Sequence, residues 1–202
     1  MFRILAFFSI SYAALYLVIL FHELGHSLFY QIYGAKKNFL RVTVRPYLFF
    51  STPAPVDEAA EKRLSDGQNL VISYAGIAVN LIMALCSYGV LRYGVSVAGG
   101  FWNDYVLLFL YQTVTLHLAE AISYLVIGNI YLVSDMKNIS ELVPWLRVPN
   151  FLVGLVACVP YLLLLRHLSG NFLPAVLLFN GLTVVGMGVG RIVFSVLESR
   201  TR

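Results

Sequence analysis

Five long apolar runs separated by shorter polar segments dominate the pattern along this 202-residue chain. The runs cover roughly residues 4–33, 69–91, 105–133, 148–165 and 172–197. A helix needs about 20 mostly apolar residues to cross the hydrocarbon core of a bilayer, and each run is close to or above that length. The pattern therefore predicts an all-α polytopic membrane protein with about five transmembrane helices and no soluble domain.

The longest polar segment, residues 34–68, follows the first run. Its part 38–51 (NFLRVTVRPYLFFS) is rich in β-branched and aromatic residues, which predicts one or two short strands. Pro46 cannot donate to a ladder, so it limits any sheet to an edge or a break. We therefore expect a small membrane-associated β element directly after the first transmembrane helix.

Composition agrees with a membrane protein and excludes other classes. Hydrophobic residues make up 59% of the chain and charged residues 12%, against about 45–50% and about 25% in soluble domains. Two cysteines, both in apolar runs, exclude a disulfide scaffold. We expect residues 1–140 to form a core of three spans and the strand-rich loop, and residues 141–202 to add two C-terminal spans.

The basic residues lie mostly in the polar segments, which is typical of membrane orientation and not of a nucleic-acid partner. If there are five spans, ten of the 14 basic residues fall on one side and three on the other, with Arg191 inside the last run. The positive-inside rule then places the N-terminus outside and the C-terminus in the cytosol. The bilayer itself is the expected partner.

The first run contains the sequence HELGH at residues 22–26. On a helix, His22 and His26 lie on one face and can bind one cation together, while Glu23 can reach an attacking water as a general base. Zinc suits two imidazoles and a carboxylate, and it lowers the pKa of bound water from 15.7 to about 7. Each ionisable group in a span costs about 2.5–3.5 kcal/mol on insertion, so three together indicate a function and not chance.

HExxH inside a membrane span resembles the site-2 protease family of intramembrane zinc metalloproteases. Residues 75–80 (AGIAVN) are similar to the family's small-Gly-Pro-x-x-Asn segment, with Ile77 in place of proline. Residues 129–135 (NIYLVSD) are similar to its Asn…Pro…Asp-Gly motif, without the proline and with Met136 in place of glycine. The resemblance covers about the first 140 residues and implies that Asp135 is the third ligand of one zinc ion.

Two other polar residues of the third span, His117 and Glu120, compete with Asp135 for this role. Measured along a straight helix at about 1.5 Å per residue, they lie about 27 Å and 22 Å beyond Asp135. That separation favours Asp135 as the ligand. We interpret His117 and Glu120 as a satisfied polar pair that holds the third span to a neighbour, with a water path or a second metal site as the alternative.

Asn80 lies about 16 Å into the second span, near the expected depth of Glu23. Its depth and the resemblance together suggest that its amide stabilises the oxyanion of a peptide-bond hydrolysis; the alternative is a plain interhelical hydrogen bond. In the last span, Gly186 and Gly190 form a GxxxG pair, which indicates close packing within the chain, with a second copy or with a partner protein. Arg191 is expected to extend toward the cytosolic headgroups.

Together these features predict an intramembrane zinc metalloendopeptidase that acts on membrane-spanning peptides or proteins, with its site near the cytosolic face. The predicted set is Glu23 and Asn80 for catalysis and His22, His26 and Asp135 for the metal. Two alternatives stay open. One is a non-proteolytic membrane zinc hydrolase, and the other is a metal-binding scaffold or transporter, which would have no need of Glu23.

Overall fold

A computed structural model describes residues 2–46, 48, 51–94, 101–166 and 173–201. The described residues are mostly helical, apart from the loop after the first helix and short turns between later helices. The helices, in chain order, are α1 (Phe2–Ile32), α2 (Glu58–Glu61), α3 (Asp66–Gly89), α4 (Phe101–Ile122), α5 (Asn129–Tyr131), α6 (Asp135–Leu142), α7 (Arg147–Arg166) and α8 (Leu173–Thr201). Short π-helical segments, Val90–Gly94 and Ser123–Gly128, continue α3 and α4.

Five of these helical stretches are long and apolar enough to cross a membrane. They are Arg3–Ile32, Asp66–Tyr93, Asp104–Tyr131, Pro144–Arg166 and Leu173–Val193. In an 18-residue apolar stretch of each helix, 67% of the third span is buried within the protein and 17% of the fifth. The helix α4 therefore lies at the centre of the bundle and α8 at its edge. The described chain is thus all-α, with the helix lengths and apolarity of a multi-pass membrane protein.

The predicted β element is not seen in the described residues. Between α1 and α2, one isolated antiparallel bridge joins Thr43 and Thr52. Pro46 has no N–H to donate, and Leu48 adopts a left-handed backbone with φ of 66°, which turns the chain. The Lys36 ammonium donates to the carbonyl oxygens of Arg41 and Pro53. Tyr47, Phe49 and Phe50 of the predicted strands lie outside the described residues, and the rest of the segment forms this single bridge.

The chain reverses direction between α5 and α6. Leu132 and Ser134 have φ values of 51° and 53°, a backbone region that costs non-glycine residues of the order of 1–3 kcal/mol. Met136 and Ile139 of α6 are fully buried, in a cluster that includes Tyr124. This packing holds the reversal in place and directs the first turn of α6 back into the bundle.

Candidate metal centre

His22 and His26 lie one helical turn apart on α1 and face the interior. Their side chains are buried, and their Nε2 atoms are 3.1 Å apart. This is the arrangement expected of histidines at positions i and i+4 of a helix. Both rings therefore present the same nitrogen to the same point.

Asp135 reaches that point from the first turn of α6. Its Oδ2 atom lies 3.4 Å from Nε2 of His22 and 3.4 Å from Nε2 of His26. The atom is buried and accepts no hydrogen bond. Burial acts to raise the pKa of Asp135, but the two imidazoles outweigh it and hold the pKa well below its usual range. The carboxylate is therefore available as an anionic ligand.

These three atoms fit a tetrahedral zinc ion. Zinc–nitrogen bonds are about 2.0–2.1 Å, which places neighbouring ligand atoms of a tetrahedron about 3.3 Å apart. The three separations, 3.1, 3.4 and 3.4 Å, match that edge length. Within the described part of the chain, His22, His26 and Asp135 form the one group of this kind. Three protein ligands leave the fourth position open, as in catalytic zinc sites.

The remaining ring nitrogens are also bonded. Nδ1 of His26 lies 2.7 Å from the Ile72 carbonyl oxygen on α3 and donates to it. Nδ1 of His22 lies 3.1 Å from the side-chain amide nitrogen of Asn80. The ring of Tyr124 stacks on that of His22, with centroids 4.7 Å apart and planes at 13°. Such outer contacts fix ring orientation in metal sites.

Two glycines allow α1 and α3 to approach each other at the site. A β-carbon added at Gly25 would lie 2.8 Å from the Ala75 carbonyl oxygen of α3. One added at Gly76 would lie within 3.0 Å of ring atoms of both His22 and His26. The sequence indicated Gly76 only as part of a motif; its direct contact with the imidazoles is a structural finding.

A cavity of about 740 Å³ opens beside the three ligand atoms. Glu23 lines it together with His22 and His26, and Glu23 itself is only 7% exposed. At its surface end, the cavity is lined by exposed residues of the loop after α1 and of α6, namely Thr52, Asn138 and Glu141. The cavity thus connects a buried carboxylate next to the ligands with the surface at the C-terminal end of α1.

Asn80 lies on the back of His22 and not on the cavity. Its amide nitrogen contacts Nδ1, whereas the atom that faces Asp135 is Nε2, and Asn80 is not among the residues that line the cavity. The contact of Asn80 with a reaction oxyanion stays a prediction. The contact that the structure shows is with the ring of His22.

His117 and Glu120 are much nearer the site than their helical rise suggests, and they have separate partners. Nδ1 of His117 donates to Oδ1 of Asn80 at 3.0 Å, and Glu120 lines the cavity and forms an ion pair with Arg191. A straight third span would place Asp135 at its far end, far from both residues. Because the chain reverses before α6, Asp135 returns toward them.

Arg191 does not extend to the headgroups as expected. It is partly buried, extends from α8 toward α4, and bonds to Glu120 and, at 2.8 Å, to the hydroxyl of Ser123. Its guanidinium carbon lies 3.9 Å from the centre of the Tyr124 ring. The last span therefore contributes to the surroundings of the site. The sequence signal that could have indicated this pair is one acidic and one basic residue, Glu120 and Arg191, in two separate apolar runs.

Comparison of the chain with protein-family models, with curated proteins and with solved structures finds no match.

Proposed function

We propose that this protein is an intramembrane zinc metalloprotease that hydrolyses peptide bonds of membrane-spanning substrates. The observation that carries the proposal is the triangle of His22 Nε2, His26 Nε2 and Asp135 Oδ2 beside a cavity that Glu23 also lines. The resemblance of HELGH and its companion motifs to site-2 proteases supports the same assignment. A hydrolase needs a buried carboxylate next to the metal ligands as a general base, whereas a protein that only stores metal does not need one.

The residues of the site have two roles in this proposal, metal binding and proton transfer. His22, His26 and Asp135 would hold zinc, which when bound polarises the scissile carbonyl and makes water acidic enough to attack at neutral pH. Glu23 takes a proton from the attacking water and delivers it to the leaving amine. Ile72, through the Nδ1 of His26, keeps that ring turned toward the metal.

The substrate must reach this site in an unwound form, because a helix buries its carbonyl groups in hydrogen bonds. The cavity is lined on its loop side by Ser51, Thr52 and Pro53. In this proposal, extended backbone near the Thr43–Thr52 bridge receives the unwound segment by strand addition. His26 is six residues from the end of α1, about 9 Å along the axis, and the basic loop after α1 places that end at the cytosolic face.

The protease is distinguished from its two alternatives by its product. Purified protein in liposomes is incubated with a synthetic transmembrane peptide, and products are identified by mass spectrometry. We expect peptide fragments, lost on chelation and restored by zinc. Release of fatty acid from the liposome lipid without fragments would favour a lipid hydrolase. Bound zinc with no product from either substrate would favour a scaffold or transporter.

Replacing Asp135 with alanine is expected to lower zinc affinity more than about 100-fold, since loss of mere outer contacts already costs about 10–100-fold. Affinity is measured by competition with a chromophoric chelator. Glu141→Ala is the matched control, because Glu141 lies on the same helix and lines the same cavity without joining the ligand group. Equal affinities of the two variants would remove Asp135 from the ligand set.

A cysteine at Thr52, in a chain with Cys86 and Cys158 replaced by serine, is expected to react with an impermeant maleimide from the cytosolic side only. A peptide hydroxamate inhibitor should slow the reaction, because Thr52 lines the cavity. Cysteine at Lys62, exposed and outside the cavity lining, should react from the same side regardless of inhibitor. Reaction from the outside would reverse the orientation, and reaction indifferent to inhibitor would exclude this cavity mouth.

A further inference from the structure

A chain of buried polar side chains extends from the metal ligands into the interface of α1, α3 and α4. Asn80 lies at its centre, with Nδ2 at 3.1 Å from Nδ1 of His22 and Oδ1 at 3.0 Å from Nδ1 of His117. Asn80 and His117 are completely buried. Because buried polar groups cost free energy unless they are hydrogen-bonded, these contacts constrain where the protons lie.

The donors and acceptors assign a direction to every bond in this chain. The amide nitrogen of Asn80 only donates, so His22 accepts at Nδ1 and carries its own proton on Nε2. His26 donates from Nδ1 to the carbonyl oxygen of Ile72. At the far end, His117 donates from Nδ1 to Asn80. All three of these bonds are satisfied.

A cation on Nε2 of His22 requires the opposite arrangement at that ring. Nε2 must then offer its lone pair, so the proton lies on Nδ1 and needs an acceptor. A half-turn of the Asn80 amide exchanges its oxygen and nitrogen with little change of shape. Asn80 then accepts from His22 and donates to Nδ1 of His117.

His117 is able to follow this reversal. Its Nε2 is buried and has no hydrogen-bond partner in the described part of the chain. The proton of His117 can therefore lie on Nδ1 or on Nε2 without breaking another bond. Asn80, with His117 bonded to its other side, can thus form a hydrogen bond with His22 whichever of its nitrogens carries the proton. A plain interhelical hydrogen bond would not require this ability.

We propose that Asn80 and His117 are positioning residues that fix the proton of His22 on Nδ1 and so present Nε2 to the metal, the pair reversing its hydrogen bonds when the metal binds. The inference rests on the proposed function, because it takes zinc as the cation. Asn80 acts through His22 and does not touch the substrate.

Zinc affinity of side-chain variants gives the first test. Asn80→Leu keeps the size but removes both bonds, so zinc should bind about 10- to 100-fold more weakly. Asn80→Asp keeps an acceptor for His22 and should retain the wild-type affinity. Gln112→Leu is the control, because it removes a buried α4–α1 hydrogen bond to Ser11 that does not touch the histidines. Circular dichroism and thermal melting report on folding.

Histidine tautomers in the wild type give a second test, in which a variant serves only to assign one signal. Long-range ¹H–¹⁵N correlation of histidine-labelled protein in micelles distinguishes a proton on Nδ1 from one on Nε2 in each of the four rings. His117→Phe identifies the His117 signal. On addition of zinc to chelator-treated protein, the proton of His117 should move from Nδ1 to Nε2, and that of His22 should move from Nε2 to Nδ1.

The outcomes separate this inference from the proposed function. Wild-type affinity in Asn80→Leu, equal losses in Asn80→Leu and Asn80→Asp, or a His117 tautomer unchanged by zinc would overturn the inference alone. The expected affinities and tautomers without cleavage of any peptide would support it and overturn the protease. A wild type that binds no zinc would overturn both.

Discussion

Glu23→Gln is expected to abolish peptide hydrolysis while the protein keeps its zinc. Glutamine has nearly the size and shape of glutamate but cannot accept the proton of the attacking water, and loss of a general base costs about 10²–10⁴-fold in rate. Glu23 is not one of the three atoms that meet at the metal position. Cleavage is followed by mass spectrometry, and bound zinc by elemental analysis of the same preparation.

Glu61→Gln is the matched control for this variant. Glu61 lines the same cavity but accepts a 2.6 Å hydrogen bond from the Tyr30 hydroxyl, and glutamine preserves that acceptor. We expect nearly wild-type cleavage. Cleavage by Glu23→Gln at the rate of the Glu61 control would show that another group activates the water, and the mechanism proposed for HELGH would be wrong.

Gly76→Ala is expected to weaken zinc binding strongly through one added methyl group. That carbon would lie within 3.0 Å of His22 and His26 ring atoms, so the rings must move or the helices must separate. Overpacking of this kind costs about 1–3 kcal/mol. If the histidine rings are displaced to make room, this free energy is lost from zinc binding and the affinity drops by roughly 5- to 150-fold. Competition with a chelator measures the affinity.

Gly89→Ala tests whether α3 tolerates the same substitution elsewhere. Gly89 ends the same helix, and an added β-carbon meets no atom within 4 Å. Alanine is the better helix former, so stability should be equal or slightly higher and zinc affinity unchanged. Similar affinity in Gly76→Ala and Gly89→Ala would mean that the ligand rings do not depend on the gap at Gly76.

The parts of the site that depend on local geometry could be predicted from the sequence. Two histidines four residues apart on a helix share a face, whatever the rest of the chain does. The motif indicates Asp135 correctly, whereas the helical-depth count that also favours it depends on a straight third span, which the structure does not have. The reversal that delivers it depends on Leu132 and Ser134 at positive φ, and neither residue type signals such a backbone, since glycine is the usual choice.

Contacts between spans were harder to predict. His117 and Glu120 were recognised as unusual, but a depth count along one helix could not show that Asn80 and Arg191 meet them from neighbouring helices. Likewise, the β-branched pattern at 38–51 favours strands, yet among the described residues, which include Pro46 and the turn at Leu48, one bridge forms. Each of these outcomes depends on tertiary packing, which overrides local preference.

We expect the pairing of Glu120 with Arg191 to matter during the biogenesis of the protein. The two residues are separated by 71 positions, so the ribosome completes α4 well before it makes the arginine. A charged residue in a span costs about 2.5–3.5 kcal/mol at the insertion machinery. Until α8 arrives, α4 carries that cost alone, which favours its retention beside the translocon. A chain truncated before α8 should consequently insert α4 inefficiently and become a substrate for membrane quality control.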